Sequence, residues 1–442
     1  MKPIKYIIIT FAIIFIFNDS ASAYIDPVSI SSLLSLLVAA TISGFYFLKF
    51  QIINFFKIIL FFFKDISSLL KFLNKKKEVV FFYENKLYKL YLLEVIKKFD
   101  FKQSANTHIL CKFEYEHENE NDSDSDIDER NIEISSFHTN FFLQIALNTI
   151  KCNILVTTTP DLNISSFKKS SQCHCYYYIF HSLVSTQMIY KQNAFTSFDV
   201  IACATKYQKK ELENEEVQNN LPRKEILQSG YPFFSFLKKK KFSTSNNNQI
   251  IIAPSWVMDN KDYYEIYYLE LIEKILQKNF ELIFRPHPEF FKRNKSSIEK
   301  LEKLFFNYSN FKIDLSKSFD TLLSSKYLIT DWSGIAFEYA YILKKPVIFF
   351  NTPRKINNSH TKHKLELQNQ MVEVEKRENI GLIIDSPLEI FDSIQVLEDN
   401  KEKYQKSIVD FFENNLFNES NPENYIYENI LSKNNFLKNR KS

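Results

Sequence analysis

The stretch LITDWSGIAFEYA, residues 328–340, decides the reading of the chain. An apolar run stops at Asp331, passes Trp-Ser-Gly, and resumes with apolar residues at helical spacing. That is a strand delivering a short polar turn to the head of a helix, the unit from which parallel α/β sheets are built. The 442 residues include only four glycines and two tryptophans, and one of each, Gly334 and Trp332, falls in this turn. The composition is otherwise rich in Phe (44) and Tyr (24) along its whole length, so rare residues carry more information where they occur.

Working outward, residues 249–256 (QIIIAPSW), 280–288 (FELIFRPHP), 311–314 (FKID) and 345–350 (KPVIFF) read as strands. Helix-like segments around 263–278, 297–306 and 319–325 separate them. Upstream, residues 79–83, 153–158, 175–180 and 199–204 form a second set of buried strands, with an amphipathic stretch at 141–150. Strands alternating with helices predict two parallel sheets covered on both faces, which face each other across a cleft lined by strand C-termini. Residues 229–248, with Gly, Pro, a lysine run and polar residues, read as the linker between them. The acidic segment 114–130 reads as a solvated loop, and residues after 398 as a helical tail.

The N-terminus has the shape of a targeting segment. Lys2 and Lys5 precede an apolar stretch at 6–17, then Ala21-Ser22-Ala23. A second run, 30–48, has no charge and approaches the ~20 residues needed to cross a bilayer. Lys49, Lys57, Lys64, Lys71 and the lysines at 75–77 follow it, whereas Asp26 precedes it. The positive-inside rule therefore places the remainder on the cytoplasmic side of the inner membrane, with the aromatic stretch 50–63 at the interface. The expected boundaries are a signal-like segment 1–23, a membrane and juxtamembrane segment 24–77, Rossmann-like units 78–240 and 249–398, and the tail 399–442.

A net charge of +4 and a pI near 8.4 are too mild to argue for a nucleic-acid partner. Five cysteines without framework spacing suggest free thiols. Cys173-His174-Cys175 is a poor metal pair, because alternate strand residues face opposite ways and no second ligand pair follows. No metal and no cofactor is expected.

Three strand ends carry candidate chemistry. His181 follows the strand at 175–180 and is suited to act as a general base towards an alcohol. Arg285 and His287, two apart in RPHP, share a face if the segment is extended, an arrangement suited to phosphate. Asp331, Ser333 and Gly334 stand at a helix N-terminus, whose free N–H groups favour an anion, and Glu338 lies one turn further on, within reach of a ribose hydroxyl. The readings set against these are a loop histidine, a strand-ending proline pair and an ordinary N-cap. There is no Gly-x-Gly-x-x-Gly or Walker loop, so the site is one of point contacts.

RPHP followed by LITDWSGIAFEYAYILKKPVIFF resembles the bacterial CDP-glycerol glycerophosphotransferase family, which builds teichoic-acid-type polymers on a GT-B-like fold. HSLVST, QSGYP and APSW occur in the expected order, and AYIDP and PRKINN look like features of a Gram-negative-type branch. The resemblance implies an acceptor half and a nucleotide-donor half. It implies His181 as the base, His287 against the donor pyrophosphate, and Asp331, Trp332 and Ser333 at donor phosphate. Many members read His-Gly-Thr-Pro, with a lysine nearby, where this chain has His181-Ser182-Leu183-Val184, and commonly a second serine where Gly334 stands. The expected partners are CDP-glycerol or a similar nucleotide-linked donor, a lipid-linked or glycan acceptor, and the membrane. A nucleotide-sugar glycosyltransferase and a catalytically silent scaffold or glycan-binding protein are the alternatives.

Overall fold

A computed structural model describes residues 27–75, 77–102, 105–113, 132–240, 246–257, 261–278, 280–316 and 318–440. The signal-like segment and the acidic loop expected from the sequence lie outside them. The chain divides into two compact units, before and after Phe63/Lys64.

The described residues of the first unit are helical. One helix, Pro27–Asn74, begins in it, and its stretch Ser35–Asn74 contains an 18-residue window with a mean hydropathy of 1.7 and leaves Phe45, Tyr46, Phe55 and Phe56 exposed. It is long and apolar enough to cross a bilayer.

The second unit holds two all-parallel sheets. Strands β1 (Val79–Tyr83), β2 (Thr107–Lys112), β3 (Glu133–Phe137), β4 (Cys152–Thr157), β5 (Cys173–Ile179), β6 (Val200–Cys203) and β7 (Glu225–Gln228) form a seven-stranded sheet in the order β3-β2-β1-β4-β5-β6-β7. Strands β8 (Asn246–Ile252), β9 (Glu281–Phe284), β10 (Phe311–Ile313), β11 (Ser325–Thr330), β12 (Val347–Phe350) and β13 (Gly381–Ile384) form a six-stranded sheet in the order β10-β9-β8-β11-β12-β13. Four inner strands, β1, β4, β6 and β12, are buried at every residue, as cover on both faces of a sheet requires. Strand order reverses direction at β1/β4 and at β8/β11, and such switch points open crevices at the strand C-termini.

Residues 229–240 are not the open linker expected from their composition. Gly230, at φ +80°, turns the chain in a left-handed conformation that also brings it against the backbone of Phe417 and Asn418. The helix Pro232–Lys239 follows, and buries Phe233, Phe234, Phe236 and Leu237. Each such side chain contributes about 1.5–3 kcal/mol on burial. Phe234 stacks on Tyr341 at 3.7 Å, and one apolar core runs from the first sheet through this helix into the second. The lysines misled the reading because they occupy the last turn and the segment beyond it.

The C-terminal residues are likewise integral. Helix Lys401–Asn415 buries Ile408, Phe411 and Phe412 in the shared core. Helix Pro422–Asn439 returns to the first sheet, where Ile426, Tyr427 and Ile430 pack with residues of β1, β4 and β5.

Candidate active site at the facing strand ends

His181 lies just beyond β5, half-buried and ringed by Tyr88, Tyr91 and Tyr190 at centroid distances of 5.2, 5.9 and 5.9 Å. Its Nδ1 is 3.3 Å from the Tyr178 hydroxyl. Burial pushes the imidazole down to about 4, although a backbone hydrogen bond at Thr158 acts the other way. The ring is therefore neutral at physiological pH and free to accept a proton.

Across the crevice, His287 ends the segment after β9 and caps the helix Pro288–Arg293. Its Nδ1 accepts the Glu289 backbone N–H at 3.2 Å, so the proton of the neutral ring sits on Nε2. Burial holds its pKa well below the usual range, and the charges of Lys355 and His181 add to the effect. A charge on His181 would reach His287, which places the two rings in one neighbourhood.

Arg285 and His287 do not act as the pair expected from their spacing. Arg285 Nη1 donates to Asp314 Oδ2 (3.1 Å), to the Ser318 carbonyl and to Thr321 Oγ1 (3.2 Å), and the guanidinium lies over Phe319. This arginine holds the loop after β10 to the sheet. The reason is a buried acceptor, Asp314, which the sequence pattern did not single out.

The Asp-Trp-Ser-Gly turn also divides its labour. Asp331 is buried at the β8/β11 switch point, and its carboxylate accepts from Ser255 N (2.7 Å), Trp332 N (2.6 Å) and the Tyr263 hydroxyl (2.8 Å). These bonds commit it to bracing the two strand ends. Trp332 is buried and donates Nε1 to the Thr352 carbonyl at 3.1 Å. Ser333, half-exposed, precedes Gly334, the N-cap of helix Ile335–Leu343. Glu338 faces inward: it is buried, accepts the Tyr231 hydroxyl at 2.9 Å, and is pushed up to about 8 by burial. It ties the second half of the body to the first, a place that differs from the expected ribose contact.

Gly334 has an ordinary helical φ of −61°, so conformational freedom does not explain it. A Cβ there would lie 2.2 Å from Ser182 Oγ and 3.2 Å from Val184 Cγ1. The glycine admits the loop that follows His181. Ser182 and Gly334, two of the positions where this chain departs from the common family pattern, are therefore in contact.

Several residues of this neighbourhood were not singled out from the sequence. Lys355 is buried, stands 5.1 Å from the Trp256 ring, and is lowered to about 8 by burial. Arg377 is 5% exposed, lies 4.1 Å over the Trp332 ring, and is lowered to about 10 by burial and by Arg354. Its Nη2 donates to Asn351 Oδ1, while Nε and Nη1 are buried without hydrogen-bond partners. Glu373 accepts Ser185 N at 2.8 Å and is pushed up to about 8. Glu211 accepts from Thr186 and is pushed up to about 7. Both acids brace the Ser185-Thr186 part of the His181 loop. In a chain with 56 lysines and arginines, nothing in the pattern distinguishes Lys355 and Arg377.

The five cysteines are free, and His174 is exposed on the strand that buries Cys175. Among the described residues no group of three His, Cys, Asp or Glu side chains could hold a metal ion.

Comparison with known proteins adds a family. Residues 193–432 match the model of CDP-glycerol:poly(glycerophosphate) glycerophosphotransferase. The chain is 27% identical over 237 residues to the minor teichoic acid biosynthesis protein GgaB of Bacillus subtilis, covering 48% of this chain and 24% of that protein. It is 32% identical over 133 residues to the teichoic acid poly(ribitol-phosphate) polymerase of Bacillus spizizenii, covering 29% of this chain and 19% of that one. The matches thus span about a quarter or less of these relatives' lengths. Among solved structures, the wall teichoic acid polymerase TagF (H548A) aligns with a TM-score of 0.55 at 15% identity, over 82% of this chain and 90% of that one. MnaA of S. aureus, solved with UDP, aligns at 0.51 and 11% identity, over 82% and 97%. The fold is GT-B-like.

Proposed function

The chain belongs to the CDP-glycerol:poly(glycerophosphate) glycerophosphotransferase family, and from that premise we propose that it transfers glycerol phosphate, or a related polyol phosphate, from a CDP-linked donor to an acceptor hydroxyl. The acceptor is a lipid-linked or surface glycan, and the apolar helix holds the enzyme at the inner membrane with its sheets on the cytoplasmic side. The observation that carries the reading is that His181 and His287, each a neutral imidazole, come from opposite sheets into one neighbourhood, with the N-terminus of helix Ile335–Leu343 beside the His181 loop and able to take an anion.

In this scheme the acceptor hydroxyl gives its proton to His181 as its oxygen bonds to the polyol-bearing phosphorus. The bond from that phosphorus to the bridging oxygen breaks, and CMP leaves with the electron pair. His287 Nε2–H, Ser333 and the N–H groups at Gly334 donate to phosphate oxygens, where negative charge grows on the leaving group. Donor phosphate beside His181 raises the basicity that burial depresses in the empty site.

The test is to incubate the full-length chain, or membranes bearing it, with CDP-alcohols and nucleotide sugars and identify the nucleotide released. CMP from a CDP-alcohol is expected, and His181→Ala should slow its release about 10²–10⁴-fold. Release of a nucleoside diphosphate with sugar transfer would establish the glycosyltransferase alternative instead. Turnover that neither His181→Ala nor His287→Ala alters would end the enzymatic reading of this cleft. His181 must be unprotonated to act, so kcat/KM should hold down to near pH 4–5, while the acid limb of kcat, set by the donor complex, lies at higher pH.

A further inference from the structure

The donor site as described so far has a charge problem. A diphosphate ester brings negative charge, yet His287 is neutral, Arg285 is committed to Asp314, and Asp331 is itself a buried carboxyl group. Helix N–H groups alone supply only partial charge. A cation must face the ligand from elsewhere.

Arg377 and Lys355 are in that position without being spent. Arg377 stacks between Trp332 and Phe349, and leaves Nε and Nη1 buried and unpartnered. Lys355 is buried to the same degree, with the Trp256 ring beneath it, and Trp256 in turn lies 6.1 Å from His287. Both cations feel the acidic side chains of Asp331 and Glu373, and Arg377 feels Asp385 as well, so the two lie in one neighbourhood around Asp331. The hydroxyl of Ser255 is also buried and unpartnered there, beside Asp331. Leaving a buried guanidinium with two orphaned N–H groups is costly in a finished core, and an arriving oxyanion relieves that cost.

We propose that Arg377 and Lys355 form a cationic clamp for the phosphates of the nucleotide-linked donor, each held on the face of one of the protein's two tryptophans. The guanidinium offers two N–H groups to phosphate oxygens, and the ammonium adds a point charge. The inference rests on the reading of the cleft as a donor site. It extends that reading by assigning donor recognition to residues beyond the histidines and the Asp-Trp-Ser-Gly turn.

Because Trp256 and Trp332 are the only tryptophans, the protein's indole fluorescence reports this pocket. The full-length chain in detergent is titrated with CDP-glycerol, inorganic pyrophosphate and uncharged cytidine. CDP-glycerol and pyrophosphate should each perturb the emission. Arg377→Gln and Lys355→Gln should each weaken CDP-glycerol binding about ten- to a hundredfold and leave cytidine binding as it was. Arg377→Lys should recover only part of the loss, because it restores charge without the fork. A purely structural role for Arg377 would weaken cytidine and CDP-glycerol alike. Unchanged CDP-glycerol binding in both Gln variants overturns the proposal, and if Arg377→Gln fails to fold, Lys355→Gln decides alone. If pyrophosphate binding depends on Arg377 but no nucleotide-linked alcohol is bound or turned over, the clamp stands and the proposed function fails. Absence of any anion response in the wild-type chain removes the clamp.

Discussion

A methyl group added at Gly334 lands on the Ser182 hydroxyl, and a hydroxyl removed from residue 182 leaves room for one at 334. The two positions form one packing unit across the cleft. Gly334→Ser should therefore cost about 1–3 kcal/mol by overpacking, and Ser182→Gly in the same chain should return most of it. A double-mutant cycle by thermal unfolding checks this; strictly additive losses would mean that the two residues do not compete for space. Glu338 offers a second test. Its carboxyl keeps its proton up to about 8 in the folded chain but only to its ordinary value, near 4.5, when unfolded. The folded state thus binds the extra proton between those values, and stability drains away as pH rises through the window. Glu338→Gln keeps an acceptor for Tyr231 but has no proton to lose, so its Tm should gain on wild type between pH 6 and 9. A Tm difference independent of pH would show that Glu338 is already ionised at pH 6. These residues also show how much of the site was legible. His181, His287 and the Asp-Trp-Ser-Gly turn stood out because polar residues at strand ends are few. The partners that settle their roles, Asp314 for Arg285 and Tyr231 for Glu338, come from distant segments that no local spacing can reveal.

Among the elements, most interior strands were readable as apolar runs, whereas β2, β3, β7 and β13 were not. β3, β7 and β13 stand at sheet edges, where one side lacks a neighbour, and β3 and β7 are partly polar; β2 is interior, but its apolar run is only Ile109, Leu110 and Cys111. The helix Pro232–Lys239 was hidden by the lysines at its end. One joint between elements was equally invisible. Asp65, near the end of the long helix, accepts His138 N and Nδ1 on one oxygen (2.9 and 2.8 Å) and Thr139 N and Oγ1 on the other (2.9 and 2.7 Å). It pins the two residues that lead into helix Asn140–Asn148, where Thr139 at the N-cap makes no capping bond of its own. Asp65→Ala should cost on the order of 2–3 kcal/mol and speed amide exchange in the first turn of that helix. Unaltered protection there would show that the start of the helix does not depend on Asp65.

For the whole molecule, the segments that close the body come from the far end of the chain. Asn153, in β4, donates to Asn434 at 2.8 Å across 281 residues, and Asn434 also reaches Glu78 at the foot of β1. The first sheet to be made is therefore covered by a helix made much later. At a ribosomal pace of roughly 5–20 residues per second, the apolar face that receives Ile426, Tyr427 and Ile430 waits roughly 15–55 s for its cover. During synthesis that face is exposed to every sticky surface nearby, and a chaperone or the translocation machinery has that interval in which to shield it. Damage to this covering helix would accordingly be felt first as lost yield of folded protein, well before any defect in the chemistry of the cleft.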